Sequence, residues 1–120
     1  MELNEYQSRA METCELVKSC DNIAYMSYGL MGEVGEFMEK IAKHIRKGTI
    51  SMHNNEAKIS EDFTLNDHDA LISELGDIAW FVAGMARVLG CDLETVCRKN
   101  LSKTTDRMIH NVIIGDGDNR

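Results

Sequence analysis

The sequence contains no proline, and aromatic residues make up only 6% of its 120 positions. Without proline, nothing in the chain interrupts long helices. No apolar run approaches the length of about 20 residues that a membrane-spanning helix needs. The N-terminus has no basic stretch followed by an apolar run, so we expect no secretory signal and no membrane association.

Basic residues are scarce as well, with 13 Lys and Arg against 20 Asp and Glu and a net charge of -7 at pH 7. This charge argues against nucleic acid as a partner, because a backbone-binding surface must be basic. It does not exclude a small polyphosphate, since a metal ion can mask negative charge locally. The cysteines include no C-x-x-C pair, which disfavours zinc, and we expect four free, mostly buried thiols in the cytoplasm: Cys14, Cys20, Cys91 and Cys97.

Apolar residues recur at helical spacing in four segments, and no segment alternates with a period of two. The pattern predicts helices over residues 4–19, 21–47, 67–89 and 93–108, with Asn4 and Gln7 as a capping box at the first. We therefore expect an all-α, four-helix bundle-like domain over residues 1–110, with a polar insertion at about 49–66 and a flexible tail over 111–120. Because a chain of this size buries only a modest core, a homo-oligomer is expected.

Two pairs of acidic residues carry the most information about function. The second helix contains G-E-V-G-E, with Glu33 and Glu36, and the third contains E-L-G-D, with Glu74 and Asp77. Residues three apart share a helix face, where two like charges repel unless a cation compensates for them. At about 100° per residue, each pair borders its apolar stripe on the same side, so antiparallel packing would bring four carboxylates together. Such oxygen ligands suit Mg²⁺, with Mn²⁺ as a substitute, and the alternative is four solvated surface acids.

Further candidates surround the acids. Lys40 lies on the face of the glutamates of the second helix, where it would either form an intrahelical ion pair or contact phosphate. Phe81 follows Asp77 by one turn and would either stack on a base or pack in the core. Asn100, Lys103 and Arg107 share one face of the fourth helix, which suits phosphate or base recognition and is otherwise exposed surface.

Five glycines lie inside the predicted helices, where each costs about 1 kcal/mol relative to alanine. Close packing between helices is one explanation for this cost, and room for a ligand is the other. The positions are Gly29, Gly32, Gly35, Gly76 and Gly84.

Three stretches of the sequence together resemble the MazG-like nucleotide pyrophosphohydrolases of the all-α NTP pyrophosphatase superfamily. They read L-M-G-E-V-G-E-F-M-E-K, E-L-G-D-I-A-W-F-V-A-G-M-A-R-V-L-G and N-L-S-K-T-T-D-R. The hallmark of the family is ExxE followed by ExxD on neighbouring helices, and the four acids match it. The resemblance covers nearly the whole chain, and its opening L-N-E-Y-Q and closing G-D-G-D-N-R look like short bacterial and phage members.

The resemblance implies a helical bundle that dimerises or tetramerises and holds Mg²⁺ through Glu33, Glu36, Glu74 and Asp77. It implies attack of water on the α-phosphorus of a (d)NTP, which yields the monophosphate and pyrophosphate. One glutamate would act as the base, with Glu36 preferred and Glu33 as the other candidate. The implied substrate contacts come from the fourth helix and from a tail that folds over the site: Asn100, Lys103, Arg107, Asn119 and Arg120.

The spacing between the acid pairs departs from the family pattern, and two other classes of protein are alternatives. The 37 residues between Glu36 and Glu74 exceed the spacing expected for many short members, and the polar 49–66 segment accounts for the excess. A ferritin-like di-iron protein needs E-x-x-H, and neither acid pair has a histidine at that offset. A non-catalytic helical interaction or regulatory module stays open as the alternative function.

Overall fold

The computed structural model describes residues 1–18, 20–111, 114–115 and 117–118. It confirms the predicted all-α class, with one small β-hairpin inserted between the second and third helices. None of the described helices is both long enough and apolar enough to cross a membrane. The elements are α1 (Leu3–Cys14), α2 (Ile23–Lys47), β1 (Ile50–His53), β2 (Glu56–Ile59), α3 (Leu65–Val88) and α4 (Leu93–Ile109).

Three of the helices begin at residues whose side chains cap them. Asn22 accepts a hydrogen bond from the backbone N–H of Tyr25 at the start of α2, and Asp92 accepts one from Thr95 at the start of α4. Thr64 forms a reciprocal capping box with Asp67 at the start of α3. Each cap satisfies a backbone donor that the first turn leaves without a partner. The predicted bounds of α2, α3 and α4 are therefore confirmed to within two residues.

The first helix ends five residues earlier than predicted, because Cys14 and Cys20 form a disulfide. In a continuous helix, residues six apart would be separated by about 9 Å along the axis, too far for a disulfide. Here the chain turns after Cys14 and brings the two Cα atoms to 5.7 Å. The expectation of four free thiols is wrong for this pair, and Cys91 and Cys97 remain free.

The predicted capping box of α1 is also wrong, because both of its residues serve tertiary contacts. Gln7 is buried, and its Nε2 donates to the carbonyls of Ala83 at 3.1 Å and Cys91 at 3.2 Å. Its Oε1 accepts from the backbone N–H of Leu93 at 3.0 Å. Asn4 accepts from the backbone N–H of Glu94 in the same region. These hydrogen bonds connect α1 to α3, to the turn after it and to the start of α4.

The two long helices α2 and α3 run antiparallel and approach closely at two glycines. A Cβ at Gly29 would lie 2.0 Å from Cε1 of Phe81, and one at Gly84 would lie 2.4 Å from Sδ of Met26. A side chain at Gly29 would collide with the ring of Phe81, and one at Gly84 would require the end of the Met26 side chain to move, which supports close packing as the reason for these two glycines. The core lies beside this contact and is built from Met11, Cys14, Cys20, Met26, Ala83 and Leu93.

The predicted polar insertion contains the hairpin. Its strands pair with Ile50 opposite Ile59 and His53 opposite Glu56. Asn54 and Asn55, at φ 49° and 63°, form the turn, and asparagine tolerates this left-handed conformation better than most residues. The hairpin connects the end of α2 to the segment that precedes α3.

Candidate metal centre and substrate face

Three of the four predicted acids converge where α2 and α3 face each other. Glu33 and Glu36 from α2 and Glu74 from α3 each offer a carboxylate oxygen, and these oxygens lie within 4.8 Å of one another. The i, i+3 spacing places the first two on one face of α2, and the antiparallel contact brings Glu74 opposite them. This arrangement concentrates negative charge at a single point between the two helices.

Asp77 is exposed and lies outside this group of three. Its charge nevertheless acts on Glu33. Desolvation by burial raises the pKa of Glu33, and repulsion from the charges of Glu36, Asp77 and Glu74 raises it further. Burial and the charge of Asp77 likewise raise the pKa of Tyr6. Tyr6 of α1 therefore lies near the edge of the acid cluster. The sequence did not predict Tyr6 as a neighbour of the acids.

Glu74 is the most buried of the four acids, at 9% exposure. Its Oε1 forms an ion pair with Nζ of Lys40 at 3.2 Å. Its Oε2 is buried and has no hydrogen-bond partner among the residues that the structure describes. A buried carboxylate oxygen without a donor is costly, and a divalent cation would satisfy it. The donor set is oxygen only, so these residues fit Mg²⁺ or Mn²⁺.

Open space adjoins the acids at three of the glycines. Gly32, Gly35 and Gly76 directly precede Glu33, Glu36 and Asp77 in the chain. A Cβ added at any of these glycines would meet no other heavy atom within 4 Å. Packing within this chain therefore does not explain these three glycines, and room for a ligand or for a second copy of the chain does.

Phe81 lies at the packing interface of the helices. Its ring centroid is 4.9 Å from that of Trp80 and 6.0 Å from that of Tyr25, and its edge fills the space at Gly29. Trp80 is in turn held by α1, because its Nε1 donates to the carbonyl of Ala10. These contacts favour core packing over base stacking for Phe81.

The predicted substrate face of α4 already binds an anionic group from the same chain. Lys103 and Arg107 both contact Oδ1 of Asp118, at 3.2 Å and 2.9 Å. Hydrogen bonds from Arg107 and then Lys103 hold the pKa of Asp118 below its usual range. Arg107 is itself buried, while Asn100 and Lys103 are exposed. Asn119 and Arg120, predicted to fold over the substrate, lie outside the described residues.

Among the described residues, no ion pair joins the four acids to Lys103 or Arg107. The helix α4 packs against α1 and α3 but not against α2, which carries Glu33 and Glu36. The cations of α4 therefore pair with Asp118 in this chain and not with the acid cluster.

Fold and site together define a helical protein with a carboxylate-rich candidate metal centre, and comparison with known proteins agrees with this class. The family described as MazG nucleotide pyrophosphohydrolase domain matches residues 21–112, which contain all four acids. The chain therefore belongs to the MazG nucleotide pyrophosphohydrolase family. It is also 37% identical over 127 aligned positions to the Gene 37 protein of Mycobacterium phage L5, with all of each chain covered. No solved structure matches it significantly.

Proposed function

We propose that the protein hydrolyses nucleoside triphosphates at the bond between the α- and β-phosphates, releasing the monophosphate and pyrophosphate. The reaction depends on Mg²⁺, for which Mn²⁺ is a substitute. The observation that carries the proposal is the convergence of Glu33, Glu36 and Glu74 on one point beside open space. Membership of the MazG family supports the nucleotide as the substrate class.

We assign each acid a role that is consistent with its position. Glu33, Glu36 and Glu74 would hold the cation, and Asp77 would complete the set from the next turn of α3. When bound, the cation neutralises charge on the phosphate oxygens and lowers the pKa of a bound water. Glu36 is exposed, so water reaches its carboxylate, and it accepts the proton as the water attacks. Glu33, one turn away, is the second candidate for this base.

Positive and amide groups bind the triphosphate. Lys103 and Arg107 already hold a carboxylate in the structure, and the same geometry suits a phosphate oxygen. Asn100 lies one turn before Lys103 and contacts the nucleotide beside it. Lys40 is the cation of α2, next to the acids. Asn119 and Arg120 follow Asp118 and reach the substrate from the tail.

A second copy of the chain completes this site. The radius of gyration is 17.6 Å, whereas about 14 Å is expected for a compact chain of this length. An apolar stripe along α2 is left exposed, and it comprises Tyr28, Met31, Val34 and Met38. In a homodimer or homotetramer, these stripes bury one another and the α4 cations of one subunit meet the acids of its neighbour.

Mixing two inactive variants tests this shared site. Glu36→Gln removes an acid and Lys103→Met removes a phosphate contact, so each homo-oligomer should lose activity. In randomly mixed dimers, half are heterodimers and each keeps one intact shared site, so about a quarter of the activity returns. If both groups came from one subunit, every site would lack one of them and no activity would return. A monomer by sedimentation velocity at micromolar concentration would also contradict the proposal.

A substrate panel tests the activity itself. The protein is incubated with each of the eight common ribo- and deoxyribonucleoside triphosphates and Mg²⁺, and the products are separated by ion-exchange chromatography. At least one substrate should yield equal amounts of monophosphate and pyrophosphate, and EDTA should stop the reaction. Release of orthophosphate would indicate a different hydrolase. Inactivity on all eight, with no cation bound, would favour the non-catalytic interaction module.

A further inference from the structure

Lys40 holds a position that neither of its predicted roles anticipated. Its ammonium pairs across the helix interface with Oε1 of Glu74 rather than with the glutamates of its own helix. Among the ion pairs of the described residues, this one alone involves any of the four acids. Lys40 is therefore the counter-ion with which the chain itself offsets the crowded charge of the centre.

This ammonium competes with a divalent cation for the negative charge of the Glu74 carboxylate, because the ammonium contacts Oε1 and the cation would bind the partnerless Oε2. An ammonium has only donors and cannot join a metal's coordination sphere, and Mg²⁺ binds oxygen at about 2.1 Å. A cation on Glu74 and an ammonium 3.2 Å from the same carboxylate would repel each other strongly. A cation on Oε2 would therefore weaken the ion pair between Glu74 and Lys40.

The two partners differ in their freedom to move. The Glu74 side chain is 12% exposed, whereas that of Lys40 is 40% exposed and carries its charge on four flexible carbons. The lysine can leave while the carboxylate stays. We propose that Lys40 is an exchangeable counter-ion: it neutralises Glu74 when the centre is empty and gives way when a divalent cation binds.

This inference rests on the proposed metal centre and goes beyond it, because it makes Lys40 a residue that opposes cation binding. By stabilising the empty centre, Lys40 weakens its affinity for the cation. The same movement frees the ammonium to face an incoming phosphate, so the ion-pairing and phosphate-binding roles belong to two states of one side chain. Binding of the cation would thereby release the Lys40 ammonium to contact the substrate phosphate.

The test measures Mn²⁺ binding by isothermal titration calorimetry and thermal unfolding with and without Mn²⁺. Lys40→Met should bind Mn²⁺ about 3- to 10-fold more tightly than the wild type. It should also unfold at a lower temperature in EDTA, and saturating Mn²⁺ should abolish that difference. Lys43→Met is the matched control, because Lys43 lies on the same helix, is exposed and carries the same charge. It should resemble the wild type in both measurements.

The outcomes separate this inference from the proposed function. If the wild type binds Mn²⁺ and Lys40→Met binds it equally or more weakly, Lys40 is a fixed structural partner and the exchange is refuted, while the metal centre stands. If Lys43→Met tightens binding as much as Lys40→Met, the tighter binding arises from the loss of any positive charge on α2, and the exchange is again refuted. If the wild type binds no divalent cation, the metal centre and the exchange both fail. Lys40→Arg, which keeps the charge, should behave like the wild type if the variant effects arise from charge and not misfolding.

Discussion

Replacing Glu36 with glutamine is expected to lower kcat/KM for nucleotide hydrolysis by at least about 100-fold without unfolding the protein. Loss of a residue that merely orients a metal ligand costs about 10- to 100-fold, and loss of a ligand should cost at least as much. Glu36 is exposed, so the substitution removes little packing. Pyrophosphate release gives the rate, Mn²⁺ titration gives the affinity, and circular dichroism shows whether the helices persist.

Glu39→Gln is the matched control for this prediction. Glu39 lies on the same helix and is also exposed, but it pairs with Arg46 and takes no part in the acid cluster. The same chemical change there should leave the rate within about twofold of the wild type, because an exposed ion pair contributes little. If Glu36→Gln keeps more than a tenth of the wild-type rate, Glu36 is neither a required ligand nor the base.

Replacing Gln7 with leucine is expected to destabilise the fold by roughly 2–4 kcal/mol. The variant leaves the buried N–H of Leu93 without its acceptor and removes the donor shared by the carbonyls of Ala83 and Cys91. Each buried polar group left without a partner costs about 1–3 kcal/mol. Because α1 is fastened to the α3–α4 turn through these bonds, the loss should be cooperative and visible in chemical denaturation.

Asn4→Ala provides the comparison for Gln7. Asn4 accepts a hydrogen bond from the backbone N–H of Glu94 and hydrogen-bonds the side chain of Asp92, but it is exposed, so its removal should cost about 1 kcal/mol or less. All variants must be compared at one protein concentration, since association shifts apparent stability. Equal destabilisation by the two substitutions would show that burial of the Gln7 amide contributes nothing beyond an ordinary surface contact.

Local patterns account for the parts of the fold that were predicted well. Helix caps act within one turn of the helix, so a few neighbouring residues specify them. In this chain they are the N-caps Asn22, Thr64 and Asp92 and the C-cap Gly48. The hairpin was left undefined because its strands are four residues long and carry no Asn-Gly or Asp-Gly turn. Its Asn-Asn turn becomes recognisable only once the backbone is seen.

Errors in the prediction arose where a distant residue changed the role of a local one. Gln7 had the correct spacing for a cap partner, yet the burial of α1 against Ala83 and Leu93 recruits its amide instead. Cys14 fitted an apolar helix stripe until the chain turned back to join it to Cys20. In each case a favourable local pattern was overridden by a stronger interaction with another element.

The sequence alone determined that Glu33 and Glu36 share one helix face and that Glu74 and Asp77 share another, because a helix repeats every 3.6 residues whatever surrounds it. Only the tertiary structure decided that Glu74 joins the first pair while Asp77 stays at the edge, and that Lys40 bridges the two helices. Those outcomes depend on how far α2 and α3 slide and rotate against each other. The contacts of Gly29 with Phe81 and of Gly84 with Met26 belong to this register, which is a property of the packed pair rather than of either helix.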